Sequence, residues 1–152
     1  MTATHDDATA WRDLVDQLTP EQVAELEYCE REQVPPGVSS PQSQLNCARA
    51  MAKHNIIQAV CADIAAPPNA VGEIAEWEEW GDGHGRMYTV SVREIDEVVV
   101  EVSGVQFDDG RVEMSVLARE TDHLSADQAR QLAALLVEAA GEIDRLIAGG
   151  AK

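Results

Sequence analysis

Aromatic side chains are scarce in this chain: three tryptophans, two tyrosines and one phenylalanine, 4% of 152 residues. Aliphatic side chains must therefore fill most of any core. Basic residues are scarce as well, 11 against 28 acids, which leaves a formal charge of −17. Without a basic patch, direct binding to a phosphate backbone is not expected, and an anionic membrane surface is disfavoured. No apolar run approaches the roughly 20 residues that span a bilayer. The first residues, Met1-Thr2-Ala3-Thr4-His5-Asp6-Asp7, lack the basic start and apolar stretch of a signal peptide, so the expected location is the cytoplasm. The three cysteines, Cys29, Cys47 and Cys61, are odd in number, widely spaced and free of any CxxC, and free thiols are expected. Gly-x-Ser-x-Gly, phosphate-loop, dinucleotide, EF-hand and HExxH patterns are all missing. No catalytic residue, no cofactor and no metal is expected.

What is present is the composition of a globular protein, 45% hydrophobic and 26% charged. The charge is uneven: −7 over residues 1–32, +1 over 33–72, −10 over 73–122 and −1 over 123–152. The neutral block holds a long apolar segment and is the part expected to be buried or to face a partner.

The periodicity changes midway. Trp11, Leu14, Val15 and Leu18 share one helical face, predicting a helix over about 9–18. Thr19-Pro20-Glu21-Gln22 is a capping box with proline at the first helical position, opening a helix over 20–33. Pro35-Pro36-Gly37 stops it. Ser40-Pro41 repeats the cap-then-proline signal and predicts a helix over 41–65. Cys47, Ala50, His54, Ile57, Cys61 and Ile64 form one stripe on it, widened by Leu45, Ala52, Ile56 and Val60. So broad an apolar face needs a cover, and a homodimer through this helix is one expectation.

Residues 1–66 thus read as a helical region, 67–72 as a linker around Pro67-Pro68-Asn69, and 73–152 as a sheet with a C-terminal helix. Tyr88-Val90-Val92, Val98-Val100-Val102 and Val112-Met114-Val116-Ala118 alternate with polar residues, the mark of strands with one buried face. A short loop over 94–96 pairs Val92 with Val98, Val90 with Val100 and Tyr88 with Val102, and sets Arg93 opposite Glu97. The Asp109-Gly110 turn pairs Phe107 with Val112 and Val105 with Met114. These two registers conflict by one residue. A bulge at Ser103-Gly104 reconciles them, restoring Val102 to Val116 and Val100 to Ala118. Residues 73–80 suit either a fourth strand or a helix, with strand favoured. Ser125-Ala126-Asp127-Gln128 is a further capping box. The helix it opens, over 125–148, carries Ala129, Leu132, Leu136, Ala139, Ile143 and Leu146 and should pack on the sheet. The fold class is α+β.

The segments Val98-Val99-Val100-Glu101-Val102-Ser103-Gly104-Val105-Gln106, Asp109-Gly110 and Leu124-Ser125-Ala126-Asp127-Gln128-Ala129-Arg130-Gln131-Leu132-Ala133 resemble small actinobacterial and mycobacteriophage proteins in which a β-meander precedes a helix. The helix Thr19–Glu27 has the same flavour. The resemblance covers about half the chain. It implies a lineage and a fold, and it transfers no activity and no site residue.

Two clusters invite a metal reading. Cys47, His54 and Cys61 recur every seven residues, but seven helical residues rise about 10.5 Å, too far for one ion to reach all three. They read better as small residues of a buried face. Glu76, Glu78, Glu79, Asp82 and His84 surround Gly81-Asp82-Gly83-His84-Gly85 without a tight ligand spacing, and read as a solvated loop. Trp77 and Trp80 are of more interest as a contact surface, since tryptophan is enriched at binding hot spots. Glu101, Asp108 and Glu113 add an acidic face. The expected function is a non-catalytic accessory or interaction protein, for which the resemblance suggests a phage or prophage origin. Its partner would be a protein, a basic one if the charge serves binding. The alternative is an acidic mimic of nucleic acid that occupies a DNA-binding protein. A small metal-dependent enzyme is the third and weakest reading.

Overall fold

The computed structural model describes residues 7–32, 40–96, 98–119 and 123–150. Two compact units divide the chain, Met1–Asp63 and Ile64–Lys152. The first is helical. The second is a four-stranded antiparallel sheet with one long helix, and the chain is of the α+β class. Among the described residues no helix is long and apolar enough to cross a membrane.

In the first unit a 3₁₀ helix, Trp11–Gln17, stands where an α-helix was predicted. The Asp13 carboxylate accepts from the amides of Thr9 and Ala10, both at 2.9 Å. The α-helix α1, Pro20–Glu32, follows. Its capping box forms as expected: Thr19 N donates to Gln22 Oε1 at 2.9 Å and Gln22 N to Thr19 Oγ1 at 3.3 Å. The proline stop at 35–37 lies outside the described residues. Helix α2, Pro41–Val60, is capped by Ser40, whose hydroxyl accepts from Ser43 N.

Two details of α2 depart from the sequence reading. It ends at Val60 rather than at 65, tightening into a three-residue turn at Ala62 N to Ala59 O, 3.4 Å. Beyond it, the carbonyls of Ile64 and Ala65 accept from Arg86 Nη2, each at 3.1 Å. Sheet side chains thus hold the chain after the turn. The buried face is also rotated in the first half of the helix, where Leu45, Ala48 and Ala52 are buried and Cys47 is exposed, while Ile57 and Cys61 of the expected stripe are buried as predicted. Trp11, Leu14 and Leu26 complete a core with Leu45 and Ala48, which covers the first half of the helix. Asn55 fixes the rotation by donating through Nδ2 to Gln17 O at 2.9 Å and Gln22 Oε1 at 2.8 Å. All three cysteines are free thiols.

In the second unit the strands β1 (Glu78–Trp80), β2 (Gly83–Ile95), β3 (Val98–Phe107) and β4 (Val112–Arg119) lie side by side in chain order. The predicted linker belongs to this unit. Val71 makes an isolated bridge to Thr89, and Ala70 packs on the core. The 73–80 stretch is a three-residue strand preceded by this loose edge pairing.

The β3–β4 pairs Val102–Val116 and Val100–Ala118 form as predicted. Phe107 and Val105 do not pair with Val112 and Met114: Gln106 faces Val112 and Gly104 faces Met114. The reason is the turn. Gly110 N donates to Phe107 O and Phe107 N to Arg111 O, and Gly110 adopts φ 87°. The loop therefore has three residues, with glycine in the left-handed position, rather than two. The extra residue assigned to Ser103-Gly104 resides in this loop. On the other side, Ile95 pairs with Val98, Arg93 with Val100 and Tyr88 with Gly104. A bulge at Val90, between Thr89 and Ser91, absorbs the one-residue difference. All three predicted β2–β3 pairs, Val92–Val98, Val90–Val100 and Tyr88–Val102, and the predicted bulge position are thereby corrected. Glu97, the expected partner of Arg93, lies outside the described residues.

Val98, Val100 and Val102 are completely buried beneath helix α3, Ala126–Gly150, where they meet Leu135 and Ala139. Each such valine contributes about 1.5–3 kcal/mol by leaving water. Ser125 and Gln128 cap α3 reciprocally, at 2.9 and 3.2 Å. The buried stripe is Leu132, Leu135, Ala139, Ile143 and Leu146, and Leu136 stands 36% exposed at its margin. An ion pair sets this rotation: Glu142 Oε2 accepts from Arg93 Nη2 at 2.6 Å and from Ser91 Oγ at 2.7 Å. Glu142 shares a helix face with Leu135 and Ala139, and turning Leu136 inward would carry it away from Arg93.

Tyr88 lies across Gly104. A Cβ on that glycine would overlap the ring and stand 2.6 Å from the hydroxyl oxygen. Gly104→Ala is accordingly expected to cost about 1–3 kcal/mol by overpacking. Leu135→Asp, which buries an unpaired charge, should cost about 3–5 kcal/mol, whereas Leu136→Asp should cost under about 1 kcal/mol. Urea denaturation of the three variants gives the order directly.

Candidate functional site

The hairpin β1–β2 and the turn β3–β4 meet at one end of the sheet. Trp80 pairs with Gly83, and Gly85 pairs with both Glu78 and Phe107. A Cβ on Gly85 would press on Trp80 Cβ and Val105 Cγ1, both at 3.2 Å. The bare glycine lets the indole lie across the strand and reach Phe107. The two rings meet edge to face, 6.4 Å between centroids at 87°. Trp80 keeps 40% of its surface exposed.

Asp108 ties the two turns together. Its Oδ2 accepts from His84 N at 3.1 Å and contacts His84 Nδ1 at 2.8 Å, while Asp108 N donates to His84 O at 3.0 Å. Asp109 takes hold of the next residue but one. Its Oδ1 accepts from Arg111 N at 2.9 Å and its Oδ2 from Arg111 Nε at 2.7 Å. The Arg111 hydrogen bond holds the Asp109 carboxyl below its ordinary pKa. The guanidinium then lies over Phe107, 4.6 Å from the ring centroid, with Nη1 3.6 Å from Glu113 Oε1.

Between these groups opens a cleft of about 530 Å³ with Trp80 and Phe107 as aromatic walls. Four carboxylates line it, from Asp82, Asp108, Asp109 and Glu113, against the single guanidinium of Arg111. No serine, threonine, cysteine or lysine lines it. Its chemistry suits a cation beside an aromatic face.

Of the five residues singled out for an interaction surface, Trp80, Asp108 and Glu113 come together here. Trp77 does not: it is 3% exposed, and the Arg86 guanidinium sits 4.5 Å from its ring centroid. Glu101 is on the sheet face away from α3, but its side chain is only 12% exposed. Its Oε1 accepts from Ser103 Oγ at 2.8 Å and Thr89 Oγ1 at 2.9 Å, and its Oε2 from Arg119 Nη2 at 2.6 Å. The carboxylate is spent on the sheet rather than offered to a partner. Of the second acidic cluster, Asp82 lines this cleft and His84 is held to it by Asp108, while Glu78 is exposed on β1. Phe107 and Arg111 are the residues the sequence reading missed. The signal was Asp109-Gly110, whose turn places both neighbours at one point.

A larger cleft of about 810 Å³ lies between the 65–69 segment, the sheet and the end of α3. Its walls are mostly apolar, and the one hydroxyl that borders it, on Tyr88, is sealed from solvent. It offers little chemistry.

No protein-family model, no curated protein and no solved structure matches the chain.

Two carboxylates make the second unit sensitive to acid. Glu101 is held below its ordinary pKa, first by Ser103, against the opposing effect of burial, with Thr89 and Arg119 adding to the depression. Glu142 is held down by Ser91 and then Arg93. A depressed folded pKa stabilises the fold above the unfolded value near 4.5, and that contribution disappears as pH falls through the folded value. Stability should therefore fall steeply below about pH 4.5. Glu101→Gln, which cannot ionise, should cost about 1–3 kcal/mol at neutral pH and flatten the acid limb. Denaturation midpoints across the pH range test both.

Proposed function

We propose that this chain is a non-catalytic interaction protein whose second unit holds a basic segment of a partner protein in the Trp80–Phe107 cleft. The observation that carries the reading is the half-exposed Trp80 wall set beside four carboxylates and a single guanidinium. An exposed tryptophan at the edge of a charged cleft has the make-up of a binding hot spot, and the surrounding charge of −17 attracts a cationic partner from a distance. A nucleic-acid mimic would spread its carboxylates over an extended face; here Glu101, at the centre of the open sheet face, is withdrawn into hydrogen bonds.

A short lysine- and arginine-rich peptide is the direct test. It should bind and perturb tryptophan fluorescence, with an affinity that falls as salt rises past about 0.1 M, where screening acts over about 10 Å. Trp80→Ala should weaken binding by about tenfold or more, and Glu113→Gln should act mainly on the association rate. A peptide that binds equally well to Trp80→Ala would place the interaction elsewhere.

A further inference from the structure

Arg111 occupies the cleft in the manner expected of a partner's own side chain. Its guanidinium covers the Phe107 ring at 4.6 Å, donates through Nε to Asp109 at 2.7 Å and approaches Glu113 at 3.6 Å. Phe107 is 5% exposed with this cover in place. The arginine side chain itself is 62% exposed, at the tip of a hairpin. Its backbone does separate work: Arg111 O accepts from Phe107 N at 2.9 Å and closes the turn without the side chain.

We infer that Arg111 is an internal stand-in for the ligand, and that the partner inserts an arginine which displaces it from Phe107 and takes over Asp109 and Glu113. The inference rests on the reading of this cleft as a site for a basic segment, and it names the residue type and the internal competitor. The slot is shaped for a guanidinium rather than an ammonium. It has a ring face for the flat cation, a carboxylate at its edge and a second carboxylate beyond, which match a planar fork of donors and not a compact point charge. Displacement exchanges one guanidinium for another at the same partners, so the swap carries little desolvation cost. Arg111 thus sets a threshold: weak or singly charged cations do not dislodge it, and an arginine held in place by flanking contacts does.

Calorimetry on the full chain tests this with two short peptides alike except that one carries arginines and the other lysines. The wild type should prefer the arginine peptide. Arg111→Gln removes the competitor and keeps the turn, and should tighten the arginine peptide by about tenfold, with a smaller gain for lysine. Arg111→Lys keeps the charge but loses the fork, and should tighten the arginine peptide by a lesser factor. Equal gains for both peptides in Arg111→Gln, with none in Arg111→Lys, would report a change of charge alone and overturn the inference. Weaker binding by Arg111→Gln, with melting unchanged, would overturn it too by making Arg111 a contact rather than a competitor. In both of those cases the peptide still binds, and the reading of the cleft stands. Absence of binding to the wild type and to both variants would remove the reading of the cleft and this inference together.

Discussion

The second unit depends on one steric fact: the Tyr88 ring needs a strand partner with no side chain. Gly104 is the only glycine in β3, and it lies directly opposite. A slip of two residues would set Val102 or Gln106 beneath the ring, and a slip of one would turn the valines out of the core. With Tyr88 fixed on Gly104, Gly85 falls opposite Phe107. That pairing brings the β1–β2 hairpin against the β3–β4 turn and so creates the cleft. Farther along, the bulge at Val90 turns Ser91 and Arg93 to the face of Val100 and Val98, where they meet Glu142 of α3. The register at this end of the sheet and the position of the site are consequences of a single contact.

The charged side chains divide into two kinds. Some are consumed internally. Arg93, Ser91 and Glu142 set the rotation of α3, while Thr89, Ser103 and Arg119 converge on Glu101. Arg86 and Gln106 reach the carbonyl of Ala65 and fasten the chain that enters the unit. These groups stiffen the sheet, and their charges are already matched. Others stand at the tip, where four carboxylates meet one arginine. In a chain with so few bases, the places where the arginines sit decide which acidic regions are left unbalanced.

Much of this fold could be read from local chemistry. Thr19 with Gln22, Ser40 before Pro41 and Ser125 with Gln128 cap the helices as their spacing implies, because a cap involves residues three apart and little else. The alternation of Val98, Val100 and Val102 likewise marked the buried face of β3. What eluded the sequence was whatever depends on distant partners. Leu135 and Leu136 suit the helix equally, and Arg93, on another element, chooses between them. The need for one extra residue was evident from the clash of odd and even valines, but Asp108-Asp109-Gly110 and Val90 could each hold it as well as Gly104. Trp80, Asp108 and Glu113 were found by type and charge. Phe107 and Arg111 belong to the site because of a turn whose length the dipeptide Asp-Gly does not fix. The buried state of Trp77 depends on Arg86 reaching over it from β2.

The bulge at Val90 also bears on how such a chain can change over generations. Thr89 pairs with Ser103 and Ser91 with Val102, so Val90 stands between them without a pairing of its own and the strand carries one residue more than its neighbour requires. Losing Val90 would leave Arg86, Tyr88, Ser91 and Arg93 on the face they already occupy, at the cost of some twist and of one valine from the core. A residue lost at any other place in β2 would turn one end of the strand inside out. Length variation among descendants of this sequence should therefore be tolerated at this one joint, and in the turns, long before it is tolerated anywhere else in the sheet.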